Sequence, residues 1–169
     1  MNQSTEEIKQ TVDAVGLDMV QLHGKEGWGS DVTSFHAYGV PVIRVLHVAT
    51  GMKSSGSNFE TSTDIVEAIS QQPLHAAAVL LDTKVAGASG GTGVKFDWSL
   101  VPPPSDSLPV FVAGGLNPEN VADCVKQTKP YAVDVASGVE PSEKTTTDLP
   151  CKDAEKVCAF IRNAKSIKW

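Results

Sequence analysis

Two aspartates stand where an α/β chain presents its chemistry. Asp82 follows the apolar run Ala76 to Leu81, which projects its carboxylate from the rim of a sheet. Burial at such a rim raises a carboxyl pKa, and a carboxyl so raised suits a general acid near neutral pH. The competing use is a turn-forming Asp, hydrogen-bonded to Lys84 or to nearby amides. Asp134 sits between Val133 and Val135, and alternation along a strand turns the valines one way and the carboxylate the other. In a barrel that other side is the lumen, an expensive place for a charge without a task.

Glycines supply the second kind of chemistry. Gly114-Gly115 precede a helix start at Asn117, and Ser137-Gly138 follow the last strand. Backbone N–H groups freed of side chains wrap an anion at such places, a phosphate above all. Tight turns are the plainer use of the same residues. The stretch from Gly87 to Gly93 adjoins Asp82 but lacks the G-K-[ST] ending of a Walker sequence. It reads either as a lid over the site or as a passive connection. His23 and His47 also end strands, and both are candidates for the same rim, whereas His36 and His75 are isolated. Cys124 and Cys158 fall on helical inner faces, and Cys151 lies beyond the last strand. Three cysteines so spaced make neither a disulfide framework nor a zinc site.

The elements that must position these groups alternate. Ser4 and Glu7 fit a capping box ahead of a helix carrying Ile8, Val12 and Val15, and Gly16 stops it. Strands are expected over Met19 to Leu22, Val42 to Val48, Ala76 to Leu81, Val110 to Val112 and Ala132 to Val135. Between them fall a short helix around Asp31 to Tyr38, a loop from Ala49 to Ser62, and a helix capped by Thr63. A single helical turn from Phe96 to Val101 precedes Pro102, and a helix begins at Asn117-Pro118. The last helix covers Asp153 to Ala164, with Ala154, Val157, Phe160, Ile161 and Ala164 facing inward. Such alternation means a parallel sheet with right-handed crossovers. Its ligands bind at the carboxyl ends of the strands, where Asp82, Asp134, His23 and the glycine pairs all fall.

Composition narrows the class. The chain has 169 residues, 41% hydrophobic and 20% charged, which is ordinary globular material for one domain. Its formal charge of −6 argues against a nucleic-acid or anionic-membrane surface, since both need clustered Lys and Arg. The apolar run Ala76 to Leu81 is far too short to cross a membrane, and no charged-then-apolar leader follows Met1. A reduced, cytoplasmic protein is expected.

In order along the chain stand Gln21-Leu22-His23-Gly24, Leu81-Asp82-Thr83, Gly90-Gly91-Thr92-Gly93 with Phe96-Asp97-Trp98, Ala113-Gly114-Gly115 with Pro118-Glu119-Asn120, and Val133-Asp134-Val135 with Ser137-Gly138-Val139. Together they resemble phosphoribosylanthranilate isomerase, an eight-stranded (β/α)₈ TIM barrel of tryptophan biosynthesis, over nearly the whole chain. The resemblance implies an Amadori rearrangement of a phosphorylated small-molecule substrate, with no metal or organic cofactor. It implies Asp82 as general acid, His23, Asp134 and Gly91 as substrate-binding, and Gly114, Gly115, Ser137 and Gly138 as phosphate-binding.

Two of the family's motifs are missing. Its general base, a Cys in K-x-C-G at the end of the first strand, has no counterpart here, and neither has its early Pro-Ser-Pro-Arg segment. The five strands begin about 28 residues apart, so eight units need about 224 residues, within the usual range of the barrel. The expectation is an incomplete barrel: a preceding helix and five βα units corresponding to strands 4–8. Alone, it would have two open edges and negligible activity, and would be either poorly stable or completed by another chain or a fused domain. The alternative is a non-catalytic, phosphate-binding remnant.

Overall fold

The computed structural model describes residues 2–24, 35–49, 61–70, 76–84, 94–104, 108–142 and 151–168. Helix α1 spans Thr5–Val15; the Ser4 hydroxyl accepts from the Glu7 amide, and the Glu7 carboxylate accepts from the Ser4 amide, so the expected capping box is present. Gly16 closes the helix in the left-handed conformation at φ 73°. Strand β1 (Val20–Leu22) follows, then β2 (Val42–Ala49), α2 (Ser62–Ser70), β3 (Ala76–Lys84) and β4 (Val110–Val112). Helix α3 (Val121–Thr128), β5 (Ala132–Val133) and α4 (Ala154–Lys165) complete the order, with single 3₁₀ turns at Trp98–Leu100 and Ser137–Val139.

All five strands are parallel and lie in sequence order, each hydrogen-bonded to the next. Parallel pairing demands a crossover between neighbours, and register then divides the side chains into two sets. Leu46 and Val48 of β2, Val79 and Leu81 of β3 and Val112 of β4 pack with Ile65 of α2, Cys124 and Val125 of α3 and Phe160 of α4. A second cluster puts Val12 of α1 against Val20, Leu22 and Val42. The alternate residues Val45, Leu80 and Ala113, flanked by Ile43 and Phe111, form a separate strip on the opposite face. Helices thus cover one face of the sheet, and the second face is the inner wall of a (β/α)₈-type barrel.

Several sequence expectations need correction. Asp82 does not close β3 but lies within it, because the ladder with β2 runs on through Thr83 and Lys84. Strand β5 stops at Val133, leaving Asp134 just beyond it, although the Asp134 amide still donates to the Val112 carbonyl. Thr61, not Thr63, starts α2: its hydroxyl accepts from the Asp64 amide and its own amide donates to the Asp64 carboxylate. Cys158 and Ile161 are exposed, as is Ala154, so the inward face of α4 is narrower than expected and rests on Phe160. Asn117 does accept from the Glu119 and Asn120 amides, but as a turn preceding the helix proper. His75 and the whole glycine-rich loop from Gly87 to Gly93, Gly91 included, lie outside the described residues.

Among the described residues, β1 and β5 each pair on one side only. Beside β1 lies a mostly apolar groove of about 260 Å³ lined by Ile8, Leu17, Met19 and Leu22, with Gln3, Thr11, Gln21 and His23 also on it. Beside β5 lies another of about 310 Å³ lined by Val125, Tyr131, Val133, Phe160 and Ile161. Tyr131 is 75% exposed and stacks on Phe111, with ring centroids 5.7 Å apart.

Candidate active site

The carboxyl ends of the strands surround one cavity of about 310 Å³. Gln21 and His23 enter it from β1, Leu80 and Asp82 from β3, Ala113 to Leu116 from β4, and Asp134 to Gly138 from β5. Apart from Gly91 and His47, the residues singled out for a site from the sequence are on this wall. Register explains the convergence: the inner strip of Val45, Leu80 and Ala113 continues upward, by alternation, into His47, Asp82 and Gly115.

Both carboxylate oxygens of Asp82 are engaged. His23 Nε2 lies 3.2 Å from Oδ2, and the Thr83 amide donates to Oδ1 at 2.8 Å. The amide contact is the one foreseen for a turn-forming Asp, yet the side chain is also in the cavity wall and only 15% exposed. His47 is the register partner of Asp82 across β2 and β3. Its Nε2 lies 3.1 Å from the His23 carbonyl oxygen, which accepts, and its ring meets the His23 ring edge-on, with centroids 4.8 Å apart. His47 therefore backs the cavity through His23. His36 is exposed, away from this group.

The rest of the wall is built from two glycine turns together with Leu116, Asp134, Val135 and Ser137. Gly114 and Gly115 both take positive φ, 79° and 66°, which L side chains adopt reluctantly. A methyl group on Gly115 would stand 2.6 Å from the Val94 carbonyl, and one on Gly138 would collide with the Leu116 carbonyl. The two glycine turns are therefore packed against other backbone.

Side chains that the sequence reading passed over hold these turns in place. The Asn120 amide group donates to the Gly115 carbonyl at 2.9 Å and accepts from the Asn117 amide. Lys152 donates to the Ala136 carbonyl at 2.7 Å and to the Glu140 carboxylate at 2.8 Å; Lys156 donates to the Glu140 carbonyl. Gln21 was legible, since it alternates with Val20 and Leu22. The lysine ties were not, because they join residues 12 and 16 positions apart. Arg44 is buried on β2, and burial lowers its pKa from the usual guanidinium value, but it lies on the helix-covered face with Val42 and Leu46.

Comparison with known sequences identifies the scaffold. A family model described as N-(5'-phosphoribosyl)anthranilate (PRA) isomerase matches residues 1–163. The chain belongs to this family. An N-(5'-phosphoribosyl)anthranilate isomerase of Myxococcus xanthus is 45% identical over 168 residues, which are 99% of this chain and 69% of that relative. The phosphoribosyl anthranilate isomerase of Thermotoga maritima superposes with a TM-score of 0.68 at 32% identity, over 99% of this chain and 71% of that one. A further phosphoribosyl anthranilate isomerase structure, in complex with reduced 1-(o-carboxyphenylamino)-1-deoxyribulose 5-phosphate, aligns at TM-score 0.66 and 30% identity, over 98% and 69% respectively. The PRA isomerase barrel thus accounts for the parallel sheet, its helix-covered face and the position of the cavity. Among the described residues no helix is long and apolar enough to cross a membrane.

Proposed function

We propose that the chain supplies five βα units, strands 4–8, of a cytoplasmic N-(5'-phosphoribosyl)anthranilate isomerase of tryptophan biosynthesis. The reaction is the Amadori rearrangement of N-(5'-phosphoribosyl)anthranilate to 1-(2-carboxyphenylamino)-1-deoxyribulose 5-phosphate. One observation carries the reading: in a chain of this family, a carboxyl group and two glycine-containing turns line one cavity.

In this reading Gly114, Gly115, Ser137 and Gly138 hold the phosphate through their amides. Asp134 and His23 hold the polar groups of the ribose, and Gly91 contributes from the adjoining loop. Asp82 gives its proton to the ribose ring oxygen, the C1′–O bond opens, and the nitrogen lone pair becomes the new C=N bond. A base then takes the C2′ proton, and the enolamine that results tautomerises to the ketone. The chemistry needs neither metal nor organic cofactor. The base is the one part these residues do not supply: among Cys124, Cys151 and Cys158, none stands at the cavity.

The same reading gives the two apolar grooves an occupant, the remaining three βα units of the barrel, supplied on another polypeptide or a fused segment. Exposed Met19, Tyr131 and Ile161 on the unpaired edges support it. The test mixes the 169-residue chain with a polypeptide carrying the family's first three strands and its K-x-C-G motif. Loss of phosphoribosylanthranilate fluorescence in the mixture is the expected result. Assembly of the two without turnover would sink the proposal.

A further inference from the structure

We infer that His23, His47 and Asp82 form a binding site for a borderline transition-metal dication of the Zn²⁺ kind. The inference goes beyond the proposed isomerisation and does not rest on it. Each of the three residues offers one donor atom, and the three atoms lie within 4.8 Å of one another. Metal–ligand bonds of about 2.0–2.2 Å put tetrahedral ligands about 3.4 Å apart. His23 Nε2 and Asp82 Oδ2, at 3.2 Å, already have that spacing. The remaining donor, within 4.8 Å of the others, needs to close by up to about 1.4 Å.

The rings meet edge-on at 70° and are not stacked face to face. The His23 carbonyl only accepts, so His47 Nε2 must donate to it, and in the neutral ring this leaves the lone pair on Nδ1. An outer hydrogen bond of that type fixes the tautomer of a ligating histidine. The three residues come from neighbouring strands, His47 and Asp82 as register partners, so the backbone holds their separation. Two imidazoles and one carboxylate suit Zn²⁺ and Co²⁺ rather than Mg²⁺ or Ca²⁺, and three protein ligands leave a position open toward the cavity. A bound dication takes the lone pairs of Asp82, so metal and proton compete for the same oxygen.

The test uses the full chain with Cys151→Ser and Cys158→Ser, so that exposed thiols do not take the ion. Calorimetry with Zn²⁺ and visible spectroscopy with Co²⁺ are expected to give one ion per chain. His47→Ala and His23→Ala should each weaken binding by more than about 100-fold, beyond the effect of losing an outer-shell partner. In a chain that tolerates neither substitution, paramagnetic Co²⁺ should broaden the His23 and His47 ring proton signals first. Unchanged affinity in a folded His47→Ala chain, or no binding up to about 1 mM, overturns the inference. Broadening centred on other residues overturns it too. All readouts are taken without substrate, so a failure of the isomerase reading would leave them standing.

Discussion

His23 Nε2 stands 3.2 Å from Asp82 Oδ2, while the Thr83 amide holds the other carboxylate oxygen at 2.8 Å. The acid is thus fixed from both sides and cannot swing away from the cavity. Asn at position 82 keeps the shape and loses the transferable proton. In the assembled enzyme we expect Asp82→Asn to lower turnover by about 10²–10⁴-fold, the usual range for a general acid. Product affinity should stay within a few-fold. Fluorescence assays for turnover and a titration with a reduced product analogue separate the two, and near-normal turnover would remove Asp82 from the role.

Much of this wall could be read from the residues alone, for a physical reason. Asp134 between two valines and Asp82 after six apolar residues are local signals; strand alternation carries Asp82 into the cavity wall, while Asp134 reaches it from just beyond the end of β5. The boundaries were less legible. Asp82 lies inside β3 because β2 pairs onward to Ala49, a long-range partner that no local pattern reveals. Exposure of Cys158 and Ile161 has a similar origin, since α4 meets α3 and the sheet along a stripe centred on Phe160. His23 and His47 were weighed singly, and their edge-on contact depends on register between two strands 24 residues apart.

The glycine turn after β5 makes a sharper demand than its sequence suggests. A Cβ at position 138 would collide with the Leu116 carbonyl, so Gly138→Ala has to push two backbone segments apart. Overpacking of this kind costs about 1–3 kcal/mol, and the displaced amides belong to the proposed phosphate turn. We expect a lower midpoint in urea and, separately, loss of the thermal stabilisation that a phosphorylated ligand gives the parent chain. Full ligand stabilisation in the variant would take Gly138 out of the phosphate site.

Cys124 offers a check on the core through pH. Burial pushes its thiol up to about 11, above the ordinary thiol range. At pH 8 the thiolate fraction is therefore about 0.1%, and Cys151 and Cys158 are exposed. A disulfide reagent should titrate two thiols rapidly and the third only on unfolding. The unfolded state releases this proton earlier than the folded state, so stability falls as pH rises from about 9 to 11, by about 2 kcal/mol. Cys124→Ala should flatten that limb relative to the parent chain; an unchanged pH dependence, or three fast thiols, would contradict the packing around α3.

The unpaired edges bear on whether these 169 residues work alone. Open strands backed by apolar grooves pair with other strands when they meet them. Tyr131 and Ile161 line the groove beside β5, and Met19 lines the one beside β1. The isolated polypeptide is expected to show negligible isomerase activity and to self-associate with rising concentration in sedimentation experiments. Ile161→Glu should suppress the association, because a charge there has no partner across an apolar contact. The same substitution should weaken assembly with a polypeptide carrying the first three strands, and with it the recovered turnover. Turnover near that of an ordinary enzyme from the isolated 169-residue polypeptide would refute the assembly argument, since a five-stranded wall would then suffice to close the site.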